Sequence, residues 1–103
     1  MTYAVTMDVP GLPVEKYDAV HRALLERTQG TVLDGLLVHL AWPTGDGMRV
    51  VEVWRSQEDS DRYGRELLGP VIGEVFGGAA PPQVEPVPFE VRGLVVPPGG
   101  VTI

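Results

Sequence analysis

The chain has 103 residues, 44% hydrophobic and 21% charged, with no cysteine and a formal net charge of −6 from 14 acidic and 8 basic side chains. That length and composition describe one ordinary globular domain, neither a disordered chain nor a two-domain one. Lys16 is the only lysine, so there is no basic stripe to grip a nucleic-acid backbone or an anionic membrane surface.

The lack of cysteine removes disulfide frameworks, thiolate nucleophiles and zinc–thiolate sites. The longest apolar runs are short, as in Leu36-Leu37-Val38, far below a membrane span. Met1-Thr2-Tyr3-Ala4 carries no basic signal-peptide opening, so the expected compartment is the cytoplasm.

Tyr3, Val5, Met7 and Val9 alternate with Ala4, Thr6 and Asp8, the period of a strand with one buried face. Pro10-Gly11 ends it. Pro13 suits a first helical turn, and the pattern predicts a helix from there to about Thr28, stopped by Gly30. Leu33 to Trp42 and Met48 to Arg55 read as two strands joined by the turn sequence Pro43-Thr44-Gly45-Asp46-Gly47, hence a hairpin. Ser56, with Asp59 three residues on, is a capping-box-like helix start, and Glu58, Asp59 and Asp61 suit the positive end of its dipole. This helix is expected from Gln57 to Leu68, broken at Gly69-Pro70, with a short helix carrying Val71, Ile72, Val75 and Phe76 beyond.

A last strand is expected from Gln83 to Leu94. Pro86 and Pro88 turn their missing N–H groups to one side of it, which belongs on a sheet edge. Residues 1–94 thus form one α+β domain of β-α-β-β-α-β order, the ferredoxin-like unit with an antiparallel sheet. Residues 95–103, with Pro97-Pro98-Gly99-Gly100 inside them, are either a loose tail or an arm laid on a partner subunit.

Setting Trp42 opposite Met48 in the hairpin gives one face with Leu36, Val38, Leu40, Trp42, Met48, Val50, Glu52 and Trp54. The other then carries Leu37, His39, Ala41, Arg49, Val51, Val53 and Arg55. The first face is the more apolar and is expected under the helices. The second is still too apolar for solvent, and a homodimer formed through it is the simplest cover; His39 is then an interface residue, beside Arg49 or Arg55.

At about 100° per residue, the apolar stripe of the first helix contains Val14, Tyr17, His21, Leu24, Leu25 and Thr28. His21 and Glu52 both point into the helix–sheet interior, where an unpaired charge costs several kcal/mol. They therefore meet each other, a water or a ligand. The plainer alternatives are a neutral core histidine bonded to backbone, a Glu52 turned to solvent at a bulged strand, and Tyr17, Trp42 and Trp54 as core fillers. Two histidines without a carboxylate cluster do not suggest a metal site, and Gly45-Asp46-Gly47 is a turn, not a phosphate-binding loop.

Gly35-Leu36-Leu37-Val38-His39, the Pro43 to Gly47 turn, and Met48-Arg49-Val50-Val51-Glu52-Val53-Trp54-Arg55-Ser56 before an acidic helix start resemble the dimeric α/β-barrel proteins. That group includes the antibiotic-biosynthesis monooxygenases and many small actinobacterial proteins. The resemblance implies that two ferredoxin-like units close their sheets into a barrel, each subunit keeping a pocket between sheet and helices, with no cofactor. Trp54 resembles the tryptophan that the monooxygenases carry on this strand, but the asparagine they place four positions earlier is Val50 here. The second-helix histidine of the haem-degrading relatives has no counterpart between Gln57 and Phe76.

Two functions follow. One is a small-molecule enzyme or binding protein whose pocket under the first helix is lined by Tyr17, Trp42 and Trp54. In its catalytic form His21 is the acid/base and Glu52 its partner, and the chemistry is cofactor-free proton transfer or oxygenation of an apolar ligand. The other is a non-catalytic dimeric ligand-binding or interaction module.

Overall fold

The computed structural model describes residues 2–29, 33–78 and 84–98. In chain order its elements are β1 (Tyr3–Pro10), α1 (Val14–Thr28), β2 (Leu36–Pro43), β3 (Gly47–Trp54), α2 (Gln57–Tyr63), a π-helical turn (Gly64–Leu68), α3 (Gly69–Phe76) and β4 (Val87–Phe89). The strands form one antiparallel sheet in the order β2-β3-β1-β4. This is the expected ferredoxin-like α+β arrangement.

Local chemistry accounts for most element ends. Pro13 sits at the N-cap of α1, and Gln29, at φ 56°, closes it in the left-handed conformation. The stop expected at Gly30 lies outside the described residues. Ser56 caps α2 by accepting from the Asp59 amide at 3.1 Å. The expected break at Gly69-Pro70 is absent. Both flanking residues of the π turn are right-handed helical, and the Gly69 amide donates back to the Gly64 carbonyl. The wider turn accommodates a proline whose ring an α-helix would crowd, so α2 and α3 run on as one irregular rod.

The hairpin contains the chief correction. Thr44 N donates to Gly47 O at 2.8 Å, which sets Pro43 opposite Met48 instead of Trp42. Ala41 then meets Val50, Leu40 meets Val51 and His39 meets Glu52. Leu36 still faces Trp54, as the simple count requires, because a β-bulge between Leu36 and Val38 absorbs the extra residue. A one-residue slip exchanges the two faces of a strand. His39 and Ala41 therefore lie on the helix side, and Val38, Leu40 and Trp42 on the far side.

The core lies between the helices and the face of Val5, Val9, Met48, Val50 and Trp54, all buried, with Val71 of α3 above them. Trp54 and Val71 are fully buried. On the far face Ala4 and Val53 are buried, but Leu40, Trp42, Val87 and Phe89 are 57%, 37%, 56% and 43% exposed. Gly47 anchors the hairpin to β1: it pairs with Pro10, and a Cβ there would run into the Val9 carbonyl.

Of the strand expected from Gln83 to Leu94, Gln83 lies outside the described residues, and of the rest only Val87–Phe89 is strand. It is nonetheless at an edge of the sheet, with Pro88 opposite Val5 on its one paired side. Residues 90–98 carry no strand or helix, and Val95 is 91% exposed. Among the described residues no helix is long and apolar enough to cross a membrane.

Candidate functional site

β3 carries Glu52 into the helix–sheet layer, where its side chain is 9% exposed. Its carboxylate is fully engaged. Oε1 accepts from the Trp54 indole N–H at 3.2 Å, two residues along the same strand face, and Oε2 lies 2.9 Å from His39 Nδ1 on β2. His39 Nε2 in turn lies 2.8 Å from the Tyr17 hydroxyl on α1. The line Trp54–Glu52–His39–Tyr17 thus ties two strands to a helix through side chains alone.

Its polarity follows from the tautomer of His39. With Glu52 ionised, Nδ1 of a neutral His39 donates to the carboxylate, and Nε2 is left to accept the Tyr17 proton. Every group then has a partner of the right sense, which is what allows a carboxylate to sit in an apolar layer. His39 keeps 25% of its side chain exposed, so the line is not sealed from outside.

His21 stands one helical turn beyond Tyr17 and joins the cluster by its ring. The planes of Tyr17, His21 and His39 lie within 14° of parallel, with centroids 5.7, 5.9 and 6.4 Å apart. Behind Trp54, the Tyr63 ring of α2 packs at 5.1 Å and 38°. Burial, helped by the negative charges of Glu52 and Asp18, pushes the Tyr17 phenol up to about 12. Tyr63 is raised also, by burial first and Glu52 second.

Of the residues the sequence singled out, the structure brings Tyr17, His21, Glu52 and Trp54 together. It does not bring Trp42, which the slipped register turns to the far face opposite Arg49. His39, expected at a subunit interface, takes the place in the cluster that Trp42 was given, and it is His39 that bonds Glu52. The bulge that decides this leaves no sequence signal stronger than two adjacent leucines.

A shallow cleft opens elsewhere, lined by Leu33, Asp34, Asp59, Arg62, Tyr63 and Leu67. Arg62 is held there by Asp59 at 2.6 Å and Asp34 at 3.7 Å, so its charge is already matched. Among the described residues no group of three or more histidine, aspartate or glutamate side chains is placed to hold a metal ion.

The strand order, with the helices on one face of the sheet, is the ferredoxin-like fold that the sequence resemblance implied. Two solved structures share it. One is Rv0793 from Mycobacterium tuberculosis, with a TM-score of 0.59 and 20% identity over 90% of this chain and 100% of that one. The other is SnoaB, a cofactor-independent oxygenase from Streptomyces nogalater, with a TM-score of 0.52 and 16% identity over 91% of this chain and 94% of that one. At such identities the likeness speaks for the fold. No protein-family pattern and no curated protein matches the sequence.

Proposed function

We propose that this chain is a homodimeric small-molecule protein that performs cofactor-free proton-transfer or monooxygenase-like chemistry on an apolar ligand held between helices and sheet. The observation that carries the reading is the buried Glu52 carboxylate bonded to His39, with Tyr17 and His21 against the imidazole. A carboxylate that orients a histidine, with a second proton-bearing group on its far nitrogen, is the arrangement general acid–base chemistry needs. Glu52 keeps its expected part as the partner, and the acid/base function passes from His21 to His39. His21 stacks beside the imidazole.

The fold shared with a cofactor-independent oxygenase supports the chemical class. The exposed Leu40, Trp42, Val87 and Phe89 support dimerisation through the far face. A second reading, a non-catalytic ligand-binding or interaction module, is favoured by one observation: among the described residues no buried side-chain polar atom lacks a partner.

Native mass spectrometry of the untagged protein tests the proposal. Twice the 11.1 kDa chain mass with a defined small adduct is the expected result. A clean monomer across micromolar concentrations removes the dimer. With the adduct identified, binding without turnover in the wild type favours the non-catalytic module, and turnover left unchanged by both His39→Gln and His21→Leu removes the histidine acid–base assignment.

A further inference from the structure

Tyr63 and Val71 lie on either side of the π turn, and both face inward. The Tyr63 ring packs on Trp54 with centroids 5.1 Å apart, and Val71 is fully buried. The second residue is eight positions after the first, and at about 100° per residue an unbroken α-helix would set them about 80° apart. The π turn takes up one extra residue, which removes about 100° and leaves the two within about 20° of each other. In that phase one continuous rod sends both side chains into the core.

Gly69 and Pro70 are the residues that call for the wider turn. In an α-helix the Pro70 ring would crowd the Glu66 carbonyl four residues back. After the π turn, Pro70 falls in the first turn of α3, where no N–H is required of it. Gly69 donates to the Gly64 carbonyl, and a Cβ on Gly69 would lie a tight 3.0 Å from that same oxygen. Tyr63 also lines the outer cleft beside Leu33, Arg62 and Leu67. Its ring therefore stands between that cleft and the buried Trp54 indole, whose N–H is bonded to Glu52.

We infer that the π turn is a phasing device: Pro70 enforces it, and through it seats Tyr63 on Trp54, closing the Trp54–Glu52 end of the side-chain cluster against the outer cleft. Pro70 is itself exposed and acts as a positioning residue, through the phase of the rod. The device goes beyond the proposed function and operates whether or not the cluster catalyses. α3 is the fixed end, pinned by Val71 in the core and tied to α1 through Arg27 on Glu74 and Lys16 on the Val75 carbonyl. A change of phase must therefore move α2, and Tyr63 with it.

Trp54 reports that movement. Trp42, the other tryptophan, lies on the far face, so Trp42→Phe leaves Trp54 as the single indole. In that background Pro70→Ala lets the rod run on as α-helix and swings Tyr63 off the indole. The expected result is a red-shifted Trp54 emission, more easily quenched by acrylamide and matching that of Tyr63→Ala, with no loss of far-ultraviolet helix signal. Deleting Arg65, an exposed residue of the π turn, from the Pro70→Ala protein shortens the span to seven residues. An α-helix turns seven residues through about 700°, which restores the native phase. That deletion is expected to recover the native emission and quenching, whereas mere destabilisation is not mended by removing a further residue. Native emission in Pro70→Ala overturns the inference, because the turn then stands without its proline. A deletion variant that is unfolded, or that keeps the shifted emission, also overturns it. If Pro70→Ala alone is unfolded, recovery of both fold and emission on deleting Arg65 supports the phasing.

Discussion

Glu52 meets its partners along a strand and across to another: Trp54 lies two residues on, and His39 lies opposite it on β2. Removing its carboxylate strands both donors in an apolar layer. Glu52→Leu is therefore expected to cost about 2–4 kcal/mol, and Glu52→Gln about half of that, since one acceptor remains; urea denaturation measures both.

Alkaline pH tests the burial of the phenols. Tyr17 in the folded chain holds its proton up to about 12, above the ordinary value of 10, and Tyr63 is shifted in the same direction. Between those two values the folded state binds more protons than the unfolded state, so stability must fall as pH rises. The stabilising effect is whole below about pH 10 and lost as pH climbs through the folded value. Denaturation midpoints compared at pH 9 and 11 are expected to show that fall, and Tyr17→Phe with Tyr63→Phe to flatten it.

Among the elements, α2 is the one whose start the sequence announces most clearly. Ser56→Ala removes the acceptor of the Asp59 amide and is expected to cost about 1 kcal/mol, read as a lowered thermal midpoint. The hairpin depends on its last turn residue in another way. Gly47 lies against the Val9 carbonyl, so Gly47→Ala must push β3 from β1 and is expected to destabilise by more than the cap change does. A normal midpoint in that variant would contradict the register of β1 and β3.

The elements also show where pattern reading stops. The alternation of Tyr3 to Val9 fixes which face of β1 is buried, and the capping and acidic residues after Arg55 fix a helix start. Neither the bulge after Leu36 nor the π turn has such a signature, because each is a compromise with what packs against it. One lets His39 meet Glu52; the other carries Pro70 within a continuous helical rod.

At the scale of the whole molecule, the sheet has one face under helices and one with four large hydrophobes exposed. Asp8 and Arg49 also lie on that far face, 2.6 Å apart, and the guanidinium holds the Asp8 carboxyl below its usual value. An exposed pair of this kind contributes little to stability but can set the orientation of a partner. If the far face is the dimer seam, Leu40→Arg combined with Trp42→Glu should give monomers by analytical ultracentrifugation. A dimer of unchanged affinity would move the interface elsewhere.

The sequence by itself determined the element order, the hairpin, the edge position of the last strand, and the presence of Tyr17, His21, Glu52 and Trp54 in the helix–sheet interior. Those follow from periodicity, turn chemistry and capping, which act over a few residues. Only the tertiary structure decided that His39 belongs with them and Trp42 does not. A strand's two faces differ by one residue of register, and that residue is taken up by a bulge between Leu36 and Val38 that brings a donor on β2 opposite the buried carboxylate on β3.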